Sequence, residues 1–135
     1  IKNLVLIMKN NARILVVEDN PFYMNVARFG IGKFLNIKDS HILEAMTLAR
    51  AEVLFNAHKT DIVAICLDGC VDNKDNLDTL PFISLFRDEG FQGPIVTTSR
   101  AIDYREIMLE CGCTHECREK MNVGRVLADI LNNQR

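Results

Sequence analysis

Apolar residues along this chain fall into two alternating kinds of run. Short blocks dense in Val, Ile and Leu are followed by longer stretches whose apolar positions recur every three or four residues. The short blocks read as strands buried on both faces and the longer ones as helices packed on a sheet. Strands are expected at Ile14–Val17, weakly at Asn36–Ile42, at Ile62–Leu67, at Ile95–Thr98 and poorly at Thr114–Arg118. Helices are expected from Pro21 to about Phe34, and over Glu44–Ala57, Leu80–Arg87, Asp103–Glu110 and Val123–Asn132. Asn20 is a good N-cap with Pro21 behind it at the first helical position, and Pro81 sits in a first turn. Gly90 and Gly93 bracket one helix exit and Gly112 stops another. Five strands alternating with five helices predict an α/β domain with a parallel sheet and helices on both faces.

Composition narrows the function classes. The chain has 135 residues, about one domain, and is 48% hydrophobic, enough for a core. The formal charge is −2, which argues against nucleic-acid binding by bulk positive charge. Five cysteines with no secretory signal before them read as free thiols in a reducing, cytoplasmic setting. Residues 1–11 are read as an N-terminal extension, and 12–135 as the domain. Ile1–Met8 is too short to span a bilayer. It is either sequence carried over from upstream of a start at Met8, or an extra strand or interface segment.

The chemistry sits at the carboxyl ends of the expected strands, where open parallel sheets bind ligands. Strand one delivers Glu18 and Asp19, strand three Asp68 and strand four Ser99, while Lys120 follows strand five. Carboxylates together attract a hard dication such as Mg²⁺. A Lys pairs with phosphoryl oxygens as a point charge, and a hydroxyl donates to them. The set therefore suits phosphoryl transfer to a carboxylate. Each residue also has a plainer use: Asp68-Gly69 is a turn pair, Glu18-Asp19 and Ser99 are helix caps, and Lys120 alone is a surface residue.

Four segments carry a family resemblance. Arg13-Ile-Leu-Val-Val-Glu-Asp-Asn20, Asp61-Ile-Val-Ala-Ile-Cys-Leu-Asp68, Gly93-Pro-Ile-Val-Thr-Thr-Ser99, and Cys111-Gly-Cys113 with Lys120 resemble, in order, the blocks of two-component response-regulator receiver domains. The resemblance covers roughly Ala12–Leu131. It implies the flavodoxin-like doubly wound fold with strand order 2-1-3-4-5. It implies Asp68 as phosphoacceptor and Mg²⁺ held by Asp19, Asp68, the backbone carbonyl of Cys70 and, directly or through water, Glu18. Ser99 and Lys120 would contact the phosphoryl group. The implied donor is a phosphohistidine on a sensor histidine kinase or histidine phosphotransfer protein. The implied output surface is about Asp103–Asn132, reached by a partner protein or a homodimer. No output domain is expected within this length, no direct contact with nucleic acid or membrane, and no enzymatic role beyond the domain's own phosphorylation and dephosphorylation.

The departures fall near the same edge. The loop over 69–79 is about three residues longer than usual, and its Val71–Leu77 stretch is polar and acidic. Arg100 stands where Ala or Gly is usual. Gly112–Lys120 carries one extra residue, the usual aromatic switch position falls near Glu116 or Cys117, and Met121 replaces a Pro, so no cis peptide bond is expected. These features keep a rival reading open, a receiver-like binding module independent of phosphate. A metal-dependent phosphatase would want a second Asp where Cys70 stands, and a flavin carrier a phosphate loop after strand one. Cys111, Cys113, His115 and Cys117 invite a zinc reading, but their spacing is wrong for a knuckle. On one strand they would share a face and spread along it.

Overall fold

The computed structural model describes residues 11–133. The extension expected over 1–11 lies outside them, apart from Asn11. Five strands form one parallel sheet in the order β2-β1-β3-β4-β5: β1 Arg13–Val17, β2 Ile42–Ala45, β3 Ile62–Leu67, β4 Ile95–Thr97 and β5 His115–Glu116. The helices between and after them are α1 Pro21–Leu35, α2 Leu48–His58, α3 Leu80–Asp88, α4 Ile102–Glu110 and α5 Val123–Asn132. The expected flavodoxin-like order is therefore the observed one. No helix among the described residues is long and apolar enough to cross a membrane.

Alternation along the strands builds two cores. Leu15 and Val17, Ile65 and Leu67, and Ile95 face α2, α3 and α4, where Phe55, Ile83, Phe86 and Met108 fill the layer. Ile14 and Val16, Ala64 and Cys66, and Val96 face α1 and α5, meeting Met24, Ile31, Val123 and Leu127. Both faces of the sheet are thus covered, which is why the strands read as unbroken apolar runs. α1 and α5 approach closely at a glycine pair, Gly30 and Gly124.

The second strand corrects the sequence pattern. It is Ile42–Ala45, not Asn36–Ile42, and α2 begins at Leu48 rather than Glu44. Asn36 takes the left-handed conformation (φ 53°) and caps α1, and Asp39–His41 is a 3₁₀ turn. Ile37 is buried beneath α1 rather than in the ladder, so the apolar signal there belongs to the core. Thr47 then caps α2, its Oγ1 accepting from the Arg50 amide at 3.1 Å. Strands four and five are also shorter than expected. β5 is a two-residue edge, with Thr114 bonding Ile95 on one side and the Cys117 amide reaching the Thr97 carbonyl on the other. Gly112 ends α4 at φ 125°, where a Cβ would come within 2.8 Å of Ile83. No cis peptide bond occurs among the described residues.

Candidate phosphoryl site

Each candidate side chain is delivered by a strand end. Glu18 follows β1, where its amide bonds the Ala45 carbonyl, and Asp68 follows β3, where its amide bonds the Val17 carbonyl. The Thr98 amide bonds the Leu67 carbonyl and so carries Ser99 beside Asp68. Ser99 Oγ lies 3.0 Å from where a Cβ on Gly69 would stand, so the glycine after Asp68 lets Ser99 pack tightly against the chain there. Lys120 enters from the 3₁₀ turn Lys120–Asn122 that leads into α5.

Lys120 Nζ lies 2.6 Å from Glu18 Oε1 and 3.0 Å from Asp68 Oδ2. All three side chains are nearly dry, at 9%, 5% and 11% exposed. The second Glu18 oxygen accepts from the Asn20 amide at 3.1 Å, and Asp68 Oδ1 accepts from the Gly69 amide at 2.8 Å. Burial, and then the Asp68 charge, push the Glu18 carboxyl from its ordinary 4.5 up to about 7, against the pull of Lys120. Burial works to lower the Lys120 ammonium, but Asp68 and Glu18 outweigh it, and its pKa rises.

Oxygen atoms of Glu18, Asp19 and Asp68 all lie within 4.8 Å of one another. This hard, all-oxygen donor set matches Mg²⁺, which takes a few carboxylates and keeps its remaining waters. The three carboxylates border a cavity of about 360 Å³ that also includes Cys70, Ser99 and Lys120. Tyr23 forms one wall. Its ring lies under Lys120 Nζ, 4.8 Å from the centroid, and under the Arg100 guanidinium, at 5.8 Å. The opposite wall is the long loop with Lys74, which Tyr104 of α4 braces by donating to the Asp75 carbonyl at 3.4 Å.

No family model matches the chain, and no curated protein matches it. Solved structures do. A response-regulator receiver domain protein from Clostridium thermocellum superposes with a TM-score of 0.73 at 14% identity, over 90% of this chain and 92% of that one. A chain of the CheX–CheY–BeF₃–Mg²⁺ complex from Borrelia burgdorferi gives 0.70 at 15% identity, over 90% and 87%. The N-terminal domain of an uncharacterized protein from Wolinella succinogenes gives 0.69 at 18%, over 90% and 91%. The fold is that of a response-regulator receiver domain.

On this receiver fold, Glu18, Asp19, Asp68, Cys70, Ser99 and Lys120 all line one cavity. The Cys/His series does not form a centre. Cys113 packs in the core under α2, α3 and α4, while Cys117 packs in the one under α1 and α5. They fall on opposite sides of the sheet, not on one face, because β5 occupies only the two residues between Thr114 and Cys117.

Three residues of the site escaped the sequence pattern. Asp78 organises the long loop, its carboxylate accepting from the amides of Val71, Asp72 and Asn73, each at 2.9 Å. Asp72 in turn accepts from the Leu48 amide at the start of α2. Tyr23 looked like any polar residue of α1. Arg105 is buried on α4, three residues before buried Met108, a helical spacing that places both on the inner face.

Proposed function

We propose that this receiver domain accepts a phosphoryl group on Asp68 within a two-component phosphorelay. The observation that carries the reading is the dry Glu18–Lys120–Asp68 cluster opening into a cavity shared with Asp19 and Ser99. An Asp68 oxygen attacks the phosphorus of a phosphohistidine donor. The P–N bond breaks as the acyl-phosphate O–P bond forms, and the leaving imidazole nitrogen takes a proton. Lys120 lies 3.0 Å from the acceptor carboxylate and meets the arriving negative charge. The Ser99 hydroxyl, which accepts from the Ala101 amide at 3.4 Å, keeps its own proton to donate to a phosphoryl oxygen. Glu18, Asp19, Asp68 and the Cys70 carbonyl would hold Mg²⁺, which supplies charge neutralisation during transfer.

The rim beside the cavity suits a protein donor such as a histidine kinase or phosphotransfer protein. Phe22, Phe29 and Met121 are 60%, 74% and 61% exposed and border one apolar groove, in which Phe22 is the chain neighbour of Tyr23 and Met121 that of Lys120, both of which line the cavity. Output would pass through α4, β5 and α5 to a partner protein, with no catalysis beyond the domain's own phosphorylation and its loss.

The test is intact-protein mass after incubation with acetyl phosphate and Mg²⁺, for wild type and Asp68→Asn. A single phosphoryl adduct that disappears in the variant and with EDTA supports the reading. Absence of an adduct, together with failure to bind fluoroberyllate, favours a binding module that works without phosphate. The specific observation on that side is that Glu116 and Cys117, near which an aromatic switch is usual, include no aromatic ring, and that Glu116 is instead held by Arg105.

A further inference from the structure

Arg105 is buried, at 6% exposed, as no other arginine among the described residues is. Burying a guanidinium is costly unless its donors are satisfied. Here Nη1 donates to the carbonyl of Ser99 at 2.9 Å and to that of Arg100 at 3.2 Å, and Nε donates to Glu116 Oε1 at 2.9 Å. Ser99 is thereby held from two directions. Its hydroxyl stands at the cavity beside Gly69, and its carbonyl is gripped from behind by α4.

A second arginine shows what a plain brace looks like in this fold. Arg87 donates to the carbonyls of Phe91, Gly93 and Gly112, in the segments that lead into β4 and β5, and no carboxylate takes part. Arg105 differs in two ways. It grips the residue that lines the site, and it ends on a carboxylate that is 32% exposed on edge strand β5. That carboxylate also has Arg118 at 3.7 Å, so an alternative cationic partner stands ready.

We propose that Arg105 is a positioning residue for the phosphoryl site, and that its bond to Glu116 carries any shift of Ser99 to the α4–β5 surface. The inference rests on the phosphoryl reading of Asp68. When the Ser99 hydroxyl donates to a phosphoryl oxygen, the Ser99 peptide moves toward the cavity. Its carbonyl then draws on Nη1, and the fork geometry of the guanidinium transmits this to Nε and Glu116. The coupling is reciprocal. A partner that draws Glu116 away from Arg105 alters the affinity of the site for its phosphoryl group by the same factor.

The experiment is an NMR titration with fluoroberyllate and Mg²⁺ on wild type, Arg105→Lys and Glu116→Gln, reading the Arg105 Nε–H signal and the backbone amides. In wild type, the Nε–H signal and the amides of His115 to Cys117 are expected to shift together with those of Gly69 and Ser99. Arg105→Lys cannot reproduce the fork, and about a tenfold higher concentration is expected for half-saturation, equivalent to about 1.4 kcal/mol. Glu116→Gln is expected to keep the shifts at Gly69 and Ser99 while losing most of those on β5. A wild-type Nε–H signal that stays still at saturation, with Arg105→Lys binding within about twofold of wild type, reduces the pair to a static brace and overturns the proposal. If Arg105→Lys does not fold, retention of full β5 shifts in Glu116→Gln overturns it instead. Failure of wild type to bind fluoroberyllate at all removes the phosphoryl reading itself, and this inference with it.

Discussion

Gly124 and Gly30 face each other where α5 crosses α1, yet adding the same methyl group to each should have opposite effects. A Cβ on Gly124 would come within 2.8 Å of Gly30 Cα, and closer still to the Gly30 carbonyl carbon and oxygen. Carbon atoms pack best at about 3.5–4.0 Å, so the helices would have to separate by roughly 1 Å. What blocks the methyl is backbone, which cannot rotate away. Overpacking of this kind costs about 1–3 kcal/mol or more. It exceeds the ~1 kcal/mol that alanine gains over glycine in a helix interior. A net loss of up to about 2 kcal/mol is expected for Gly124→Ala. A Cβ on Gly30 instead meets Gly124 Cα and N at 3.5 Å, ordinary contact. Gly30→Ala should therefore be neutral or stabilise by up to about 1 kcal/mol. Urea unfolding of the two variants checks this, with a shifted midpoint at constant slope as the readout. Displacement of α5 also moves the turn that carries Lys120, so Gly124→Ala should weaken fluoroberyllate binding while Gly30→Ala leaves it unchanged. Equal stability of the two variants would refute the reasoning, because it would mean the helix crossing yields freely.

Further expectations follow from the charges and thiols. Lys120→Met leaves two dry carboxylates facing each other, and a loss of about 3 kcal/mol is expected at pH 8 in the absence of metal. Urea unfolding should show a smaller loss at pH 6, where Glu18 takes up a proton, and partial recovery with Mg²⁺ at pH 8. In wild type, the folded state binds the Glu18 proton more tightly than the unfolded state, between the ordinary 4.5 and about 7. The contribution of Glu18 to metal-free stability thus declines as pH rises through that window. Mg²⁺ must displace the same proton, so its affinity, followed by calorimetry, should fall as pH drops through about 7. Cys66 and Cys113 are buried and their thiols pushed up, Cys113 to about 12, and burial also raises Cys117. Mass-resolved alkylation of the native protein should label exposed Cys111 first, Cys70 more slowly because its thiol is also raised, and the other three only on unfolding. Asp78→Ala should cost about 1–2 kcal/mol and open the loop to proteolysis between Val71 and Leu77, whereas Asp72→Ala should do so less.

The parts legible in the sequence were those fixed by burial on both faces. Ile62–Leu67 and Ile14–Val17 lie in central strands whose two faces are both covered, so they read as unbroken apolar runs, and only Arg13 at the start of β1 fell outside the expected bounds. β2 and β5 are the edges of the sheet, where one side lacks a neighbour and the apolar requirement relaxes. There Ile37 mimicked a strand residue while serving the core, and β5 shrank to His115–Glu116. The same contrast divides the site. Glu18, Asp19, Asp68 and Ser99 end strands whose register is set by the sheet, so position along the chain was enough to bring them together. Arg105, Asp78 and Tyr23 act through contacts between elements that no single segment reveals.

Arg105 shows why such residues matter. A charged residue on the inner face of an amphipathic helix violates the apolar pattern, and α4, with Arg105 buried and Ile102 and Ile107 exposed, has the weakest apolar stripe of the five helices. A fold that needed only a core at this place would be served by leucine, which buries without a desolvation cost. A guanidinium is kept inside where several acceptors must be held together, here the carbonyls of Ser99 and Arg100 and the carboxylate of Glu116. The breach of pattern is therefore itself the signal: it marks the joint between the strand end that lines the cavity and the edge of the sheet that faces solvent.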